Sequence, residues 1–174
     1  MKAVILKKRV VLAITAVIAL SCSLVQAQEV QVYLVRHAEK NLEQKDDPHL
    51  SDQGQKRAQQ WVSVFEHSNM AAVYSTDTRR TRDTAQPLAA SNDVDITLYK
   101  VGSLEADALL AKYPNQTVFV VGHSNTIPLL ANKLSGKQLF EELDESEYDD
   151  LFRVTIASDS AYSSAERLTI PLAK

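Results

Sequence analysis

The sequence predicts an α/β fold with helices on both faces of a mostly parallel sheet, and two observations support this prediction. Apolar strand-like runs alternate with helical patterns, which is the order that consecutive β-α-β units produce. Three of the runs also end in polar segments, "RHAEK", "TDTRR" and "GHSN", and ligands of open α/β sheets bind at the carboxyl ends of strands. We therefore expect a three-layer α/β/α domain with one polar crevice at that edge.

The individual elements follow from composition and spacing. Five runs have the composition of strands: VQVYLV at 30–35, AAVYS at 71–75, TVFVVG at 117–122, LFRVTIA at 151–157 and ERLTI at 166–170. Four stretches have helical patterns, at 51–67, 79–90, 103–113 and 125–136. Ser51 or Asp52 can cap the first helix. The last has Pro128 near its first turn and ends at Gly136, both typical of helix termini.

The first 27 residues have the order of a secretory signal peptide. Four basic residues precede the apolar run VLAITAVIAL, and "VQA", which ends at Ala27, offers small residues for cleavage. We therefore expect a signal peptide at 1–27 and a single domain at 28–174 that is exported across the inner membrane to the periplasm. Two alternatives stay open: the segment remains as an anchor helix, or Cys22 carries a lipid.

Charge and cysteine usage exclude several classes of function. The formal net charge is −3, and loss of a leader with four basic residues and no acidic ones makes it −7. An acidic domain without a basic stripe is a poor candidate for binding nucleic acid or an anionic membrane. Cys22 is the only cysteine, so the domain after the leader has no disulfide and no cysteine metal site.

Two histidines and two arginines lie where strands end or helices begin. Arg36 and His37 follow the first strand, and His123 follows "TVFVVG" just before a helix that Ser124 helps to open. Arg80 lies in the first turn of another predicted helix. Guanidinium groups bind phosphate with two charge-assisted hydrogen bonds, and helix N-termini also favour anions. These residues therefore predict a pocket for a phosphate dianion.

The same segments resemble the motifs of the histidine phosphatase (phosphoglycerate mutase-like) superfamily. "RHAEK" is similar to its RHG or RHA signature, and "DPHLSDQGQKRA" to its L-[ST]-x-x-G-x-x-x-A segment. "YSTDTRRTRDTA" resembles its arginine element and aligns Arg80 with the pocket arginine, while "VVGHSNTIP" resembles the second-histidine element. The four elements occur in the family's order over nearly the whole chain after the leader, as in a short bacterial secreted member.

The resemblance implies a mechanism without a metal or another cofactor. His37 would attack phosphorus and form a phosphohistidine that water then hydrolyses. Arg36, Arg80 and His123 would hold the phosphate oxygens as charge develops on them. The attacking nitrogen of His37 must be unprotonated, so we expect a backbone carbonyl to hold the proton on the other ring nitrogen.

The proton donor for the leaving group has more than one candidate in the sequence. Many family members supply an acid between the arginine helix and the second histidine, and the acids here that fit are Glu105, which we favour, and Asp107. A third reading is that no such acid exists, as in short members that act on substrates with easier leaving groups, such as phosphohistidine. "GHS" also differs from the His-Asp pair of the acid-phosphatase branch.

We therefore expect a metal-independent phosphatase acting on a phosphorylated small molecule, glycolipid or protein. The alternatives are a phosphohistidine-specific protein phosphatase and a non-catalytic phosphate- or phosphoglycan-binding module of the cell envelope. His49 and His67 are expected to be ordinary surface residues. The acidic run "ELDESEYDD" lacks the glycine and ligand spacing of a calcium loop and is expected to be a solvated loop.

Overall fold

The computed structural model of the chain describes residues 28–159 and 163–173, so the predicted leader and Cys22 lie outside the described residues. Within those ranges there are six strands and four helices, numbered here in chain order. The strands are β1 (Glu29–Arg36), β2 (Met70–Ser75), β3 (Ile96–Leu98), β4 (Thr117–Gly122), β5 (Asp150–Ala157) and β6 (Ser164–Thr169). The helices are α1 (Asp52–Val64), α2 (Arg79–Ser91), α3 (Ala106–Lys112) and α4 (Ile127–Ser135). None of these helices is long and apolar enough to cross a membrane.

The strands form one sheet in the order β3-β2-β4-β1-β5-β6. The four strands β1 to β4 run parallel, whereas β5 is antiparallel to both β1 and β6. The prediction of a mostly parallel sheet is therefore confirmed. The register pairs Arg36 with Gly122 and Ser75 with Val121. As a result, the polar segments after β1, β2 and β4 leave the sheet at the same edge.

Helices cover both faces of this sheet, as the three-layer prediction requires. Phe119 of β4 lies in a buried cluster with side chains of α1 and α2, including Trp61. The next residue, Val120, lies in a second cluster with side chains of α3 and α4, including Leu109. Because consecutive side chains of a strand point to opposite faces, β4 is buried on both sides, as expected for a central parallel strand.

Contacts around Gly54 fix the segment after β1 against α1. The Ser51 hydroxyl caps α1 by accepting a hydrogen bond from the Gly54 amide at 3.2 Å, which confirms one of the two predicted caps. A Cβ atom at Gly54 would lie 2.2 Å from the Glu39 carbonyl oxygen, so only glycine fits there. The "RHAEK" segment and the glycine-containing segment of α1 are therefore directly packed, and this contact positions the chain just after His37.

The sequence analysis missed one strand. β3 contains only three residues and pairs in parallel with β2 at the edge of the sheet. Such a segment is shorter than the four to eight residues over which strand periodicity can be recognised. The four predicted helices are present with small shifts in their ends, and Gly136 adopts the left-handed conformation that ends α4.

Candidate active site

A pocket of about 530 Å³ lies at the edge of the sheet where β1 and β4 end and α2 begins. Its walls include His37, Lys40, Arg80, His123, Glu142 and Glu145. The rings of the two histidines lie 5.5 Å apart, centre to centre. The structure therefore brings together three of the four residues that the sequence assigned to a phosphate site, and it adds two carboxylates to the same pocket.

His37 is held in one tautomer by the backbone. Its amide donates to the Gly122 carbonyl at 2.9 Å, and its Nδ1 lies 2.8 Å from the Ala38 carbonyl oxygen. A carbonyl oxygen only accepts, so Nδ1 carries the proton and Nε2 keeps a free lone pair. Burial is the largest cause lowering the pKa of His37 to about 3, and the charge of Arg80 acts in the same direction. The imidazole is therefore neutral at physiological pH, with Nε2 available for attack.

Thr84 connects this backbone segment to the helix that carries Arg80. Its hydroxyl accepts a hydrogen bond from the Ala38 amide at 2.9 Å and donates to the Arg80 carbonyl at 2.7 Å. Thr84 is fully buried. Ala38, whose carbonyl fixes the His37 tautomer, is thus tied through its amide to α2, a role that the sequence analysis did not assign to Thr84.

His123 follows β4 and is held from two sides. Its Nε2 lies 3.0 Å from the Thr76 hydroxyl, and its Nδ1 lies 3.5 Å from Nη2 of Arg80. A guanidinium can only donate, so Nδ1 accepts in this arrangement and Nε2–H donates to Thr76. Burial and the charges of Arg80 and Arg36 lower the pKa of His123, and the carboxylate of Glu145 opposes this shift. His123 is therefore also neutral in this pocket.

Arg80 lies in the first turn of α2 and points into the pocket. Its Nη1 is 3.7 Å from a carboxylate oxygen of Asp47, in the loop that follows β1. Its Nε is buried and has no hydrogen-bond partner among the described residues. A buried donor without a partner is costly, and a bound anion would satisfy it.

Arg36 is placed differently from what the sequence predicted, because it does not line the pocket wall. Its side chain is 2% exposed and is covered by the loop between α4 and β5. Its Nη1 donates to the carbonyls of Asp144 (3.1 Å) and Glu147 (3.2 Å), and its Nη2 donates to the Glu145 carboxylate at 2.7 Å. The guanidinium also lies 4.3 Å from the ring centre of Tyr148. Only its Nε, which is buried and unpaired within the described chain, remains for a ligand.

The segment "ELDESEYDD" is, as expected, a loop with exposed carboxylates, including Glu145, but it also covers Arg36, which the sequence analysis did not foresee. The loop is anchored where the Leu143 amide donates to the Ser124 carbonyl at 3.1 Å, and its acidic residues and backbone surround a buried arginine. The segment and Arg36 are separated by more than a hundred positions along the chain. No local pattern in the sequence could reveal that contact.

Glu105 and Asp107, the two predicted candidates for the proton donor, are not among the residues that line the pocket. Glu105 directly precedes α3, and its carboxylate pairs with Nζ of Lys133 at 2.5 Å. Asp107 is exposed in the first turn of α3. A role for either residue remains a prediction, and it would require movement of the carboxylate away from its present position.

The two remaining histidines lie at the surface. Nδ1 of His49 is 2.7 Å from a carboxylate oxygen of Asp83, and both side chains are partly exposed. His67 is exposed after the end of α1. Within residues 28–159 and 163–173 there is also no group of three or more histidine, cysteine, aspartate or glutamate side chains that could hold a metal ion.

This geometry defines a class of site: two neutral imidazoles and an arginine at the carboxyl ends of parallel strands, suited to a phosphoryl group. A sequence model described as "Histidine phosphatase superfamily (branch 1)" matches residues 32–100. That match confirms the resemblance of this chain to the histidine phosphatase superfamily. By sequence, no protein in a search of curated proteins matches the chain.

Solved structures share the fold at low sequence identity. A protein from Agrobacterium tumefaciens assigned as the phosphohistidine phosphatase SixA is 18% identical, with 80% of this chain and 97% of that chain covered and a TM-score of 0.52. A mycobacterial glucosyl-3-phosphoglycerate phosphatase is 13% identical, with 83% and 100% covered and a TM-score of 0.55. The protein histidine phosphatase SixA complexed with tungstate is 14% identical, with 80% and 96% covered and a TM-score of 0.58. At these identities the similarity shows the fold alone.

Proposed function

We propose that the protein is a metal-independent phosphatase that hydrolyses phosphate monoesters through a phosphohistidine on His37. The observation that supports this most is the state of His37 itself. The Ala38 carbonyl holds the proton on Nδ1, so the lone pair of Nε2 is free in a pocket shared with Arg80 and His123. The buried and unpaired Nε of Arg80 supplies a donor for a phosphate oxygen at the same place.

The reaction follows in two displacements. Nε2 of His37 attacks phosphorus, the P–N bond forms, and the bond from phosphorus to the leaving oxygen breaks. A water molecule then attacks phosphorus, the P–N bond breaks, and inorganic phosphate leaves a neutral His37. Arg80 and His123 act by holding the non-bridging oxygens, on which negative charge is spread in both transition states.

His123 can donate a hydrogen bond to an anion and keep its own hydrogen bond to Thr76. When a phosphate oxygen takes the guanidinium of Arg80, Nδ1 of His123 is released from its 3.5 Å contact. The Thr76 hydroxyl can either accept from Nε2 or donate to it. The ring therefore keeps this hydrogen bond whether Nδ1 or Nε2 carries the proton, and Nδ1–H can donate to the phosphate.

The leaving group needs a proton unless it is already a good one. Neither Glu105 nor Asp107 lines the pocket. Of the two carboxylates that do, Glu142 and Glu145, the second accepts hydrogen bonds from Arg36 and Ser124. Substrates with easily expelled leaving groups depend least on an acid and therefore fit the proposal best. Phosphohistidine is such a substrate, since its leaving group is an imidazole. The position of Glu105 and Asp107 therefore favours aryl phosphates among the monoesters, and it also supports the alternative of a phosphohistidine-specific protein phosphatase.

The proposal includes a location, the periplasm, after cleavage behind Ala27. Its support is the order of basic, apolar and small residues in the first 27 positions. N-terminal sequencing of the protein from a periplasmic extract should read from Gln28. Recovery of the intact N-terminus in the membrane fraction would favour an anchor instead, and a lipid-modified Cys22 would favour the third reading.

Turnover of a chromogenic aryl phosphate by residues Gln28 to Lys174 tests the function, because an aryl leaving group needs little help from an acid. We expect activity that a chelator does not reduce and that His37→Ala lowers by roughly 10³-fold or more. The matched control is His49→Ala, which removes a histidine from an exposed ion pair and should leave activity intact. Activity that the chelator abolishes, or that His37→Ala retains, would overturn the proposal. Phosphate binding without turnover would support the non-catalytic module.

A further inference from the structure

The loop between α4 and β5 brings a carboxylate into the anion pocket. One oxygen of Glu145 accepts from Nη2 of Arg36 at 2.7 Å, and the other accepts from the Ser124 hydroxyl at 2.8 Å. Glu145 lines the same pocket as His37 and Arg80. An internal anion therefore already binds two donors at the edge of the proposed phosphate site.

These two donors are of the kind that a phosphate oxygen seeks. Guanidinium and hydroxyl groups bind carboxylate and phosphate through the same charge-assisted hydrogen bonds. The hydrogen bond from Ser124, together with the charge of Arg36, lowers the pKa of Glu145, so its side chain is ionised at neutral pH. A phosphate that is to reach Nη2 of Arg36 must displace this carboxylate.

The two partners differ in freedom to move. The Arg36 side chain is 2% exposed and is fixed by two carbonyls of the loop and by the ring of Tyr148. The Glu145 side chain is 71% exposed and can turn into solvent by rotation about its own bonds. An exchange of ligands on Nη2 of Arg36 would therefore move the Glu145 side chain and leave the arginine in place, beside the Tyr148 hydroxyl at 3.5 Å.

We propose that Glu145 determines the anion affinity of the pocket by competing with the substrate's phosphate for Arg36 and Ser124. The inference deepens the proposed function and rests on it in taking phosphate as the ligand. A pocket that is closed for part of the time binds more weakly by the fraction that is open. Glu145 thus lowers the affinity of the pocket for anions. Weakly binding anions then stay largely unbound, whereas a substrate with additional contacts to the protein still binds.

Asp47 is the comparable acid beside Arg80, and it is less suited to this role. Its contact with Nη1 of Arg80 is 3.7 Å, and its carboxylate also accepts from the Arg79 amide at 2.9 Å. The Nε of Arg80 remains unpaired despite this neighbour. Of these two acids, Glu145 is the one whose carboxylate accepts hydrogen bonds from two donors of the site.

Three variants distinguish competition of Glu145 with phosphate for Arg36 and Ser124 from simple charge repulsion between a carboxylate and the phosphate. Glu145→Gln removes the competing charge. Glu145→Asp keeps the charge but is too short to reach both donors. Glu142→Gln removes a carboxylate from the same pocket wall, and Glu142 forms no hydrogen bond or ion pair within the described chain. The dissociation constant for inorganic phosphate is measured by calorimetry on the full protein and each variant, with thermal melting to confirm that each is folded.

We expect Glu145→Gln to bind phosphate roughly three- to fivefold more tightly, which corresponds to loss of one partly exposed ion pair. Glu145→Asp should also tighten binding, by about twofold, whereas Glu142→Gln should change it less than Glu145→Asp does. Unchanged or weaker binding in Glu145→Gln would overturn the inference and leave the proposed function standing. Equal tightening in both glutamine variants, with none in Glu145→Asp, would also overturn it, because repulsion alone would then explain the data. Absence of phosphate binding in the wild type and all variants would overturn this inference, and turnover of the aryl phosphate would then decide separately whether the proposed function stands.

Discussion

Two clefts of this molecule are associated with arginines, and the clefts differ in how completely the donors of those arginines are paired. The larger cleft, about 680 Å³, holds Arg57, whose side chain is 4% exposed. Its guanidinium donates to the carboxylates of Glu39 and Asp149, each at 2.7 Å. In the smaller pocket Arg80 keeps a buried Nε with no partner in the described chain, and so does Arg36 beside it.

The difference teaches that cleft size is a poor guide to the active site of this protein. Arg167, which also lines the larger cleft, is paired with Glu147 and Asp150. Two carboxylates neutralise Arg57, so its charge is not available to an anion. The contact instead ties the segment after β1 to α1 and to the residue before β5. Unpaired donors are rare in protein interiors because each one is costly. Their presence beside His37 is therefore the better indication of a ligand site.

The strongest test of this difference between the clefts is to replace one arginine in each of them. We predict that Arg80→Met lowers kcat/KM for an aryl phosphate by roughly 10²- to 10³-fold, because it removes stabilisation of the transition-state charge. The melting temperature should stay the same or rise slightly, since an unpaired buried donor is lost. Steady-state kinetics and thermal melting on the same samples measure both effects.

Arg57→Met is the matched control in the larger cleft. We predict a loss of about 3 kcal/mol in the free energy of unfolding, because Glu39 and Asp149 are left without their partner. The kcat/KM of the folded fraction should fall far less than in Arg80→Met. Urea unfolding measures the first quantity. The opposite pattern, in which Arg57→Met abolishes activity and Arg80→Met only destabilises, would reverse our assignment of the two clefts.

The pH dependence of stability between about pH 7 and about pH 5 gives a smaller effect, to which His37 of the active-site pocket contributes. The pKa of His37 is lowered to about 3, so below the unfolded value of about 6.5 the unfolded chain binds a proton that the folded chain does not. Stability should therefore fall as pH drops through this window. His37→Gln lacks this contribution, so the wild type should lose more free energy of unfolding than the variant between about pH 7 and about pH 5. Urea unfolding at each pH measures these losses. Equal losses in the wild type and in His37→Gln would show that folding does not lower the pKa of His37.

The smallest expected effect concerns Glu105. Its carboxylate faces Lys133 outside the pocket, so Glu105→Gln should change the turnover of both aryl and alkyl phosphates by less than about twofold. Rates for the two substrates, measured with the wild type and the variant, test whether Glu105 acts as the proton donor. A selective loss of alkyl phosphate turnover would show that Glu105 moves to the leaving oxygen and donates its proton.

Local patterns in the sequence predict most of this fold. The alternation of runs predicts five of the six strands and all four helices, and Ser51 and Gly136 mark helix ends that the structure confirms. His37, Arg80 and His123 could be grouped in advance because the carboxyl ends of parallel strands meet at one edge of a sheet. What the sequence predicts well is therefore what the backbone of an α/β sheet dictates.

The contacts of Arg36 and Glu105 show where such reasoning ends. The position of Arg36 at the end of β1 is predictable, but its partners lie in a loop more than a hundred residues later. Glu105 does lie at a helix start, as predicted, but its direction depends on Lys133 of α4. Side-chain direction is set by such tertiary contacts, and periodicity carries no information about them.

The most direct test of the central claim is to trap the phosphorylated protein during turnover of an aryl phosphate. The sample is quenched in alkali, digested and examined by mass spectrometry. Our account predicts a phosphoryl group on the peptide that contains His37, labile to acid, stable to alkali, and absent from His37→Ala. Steady turnover with no phosphoryl group on His37, or with one on another residue, would contradict it.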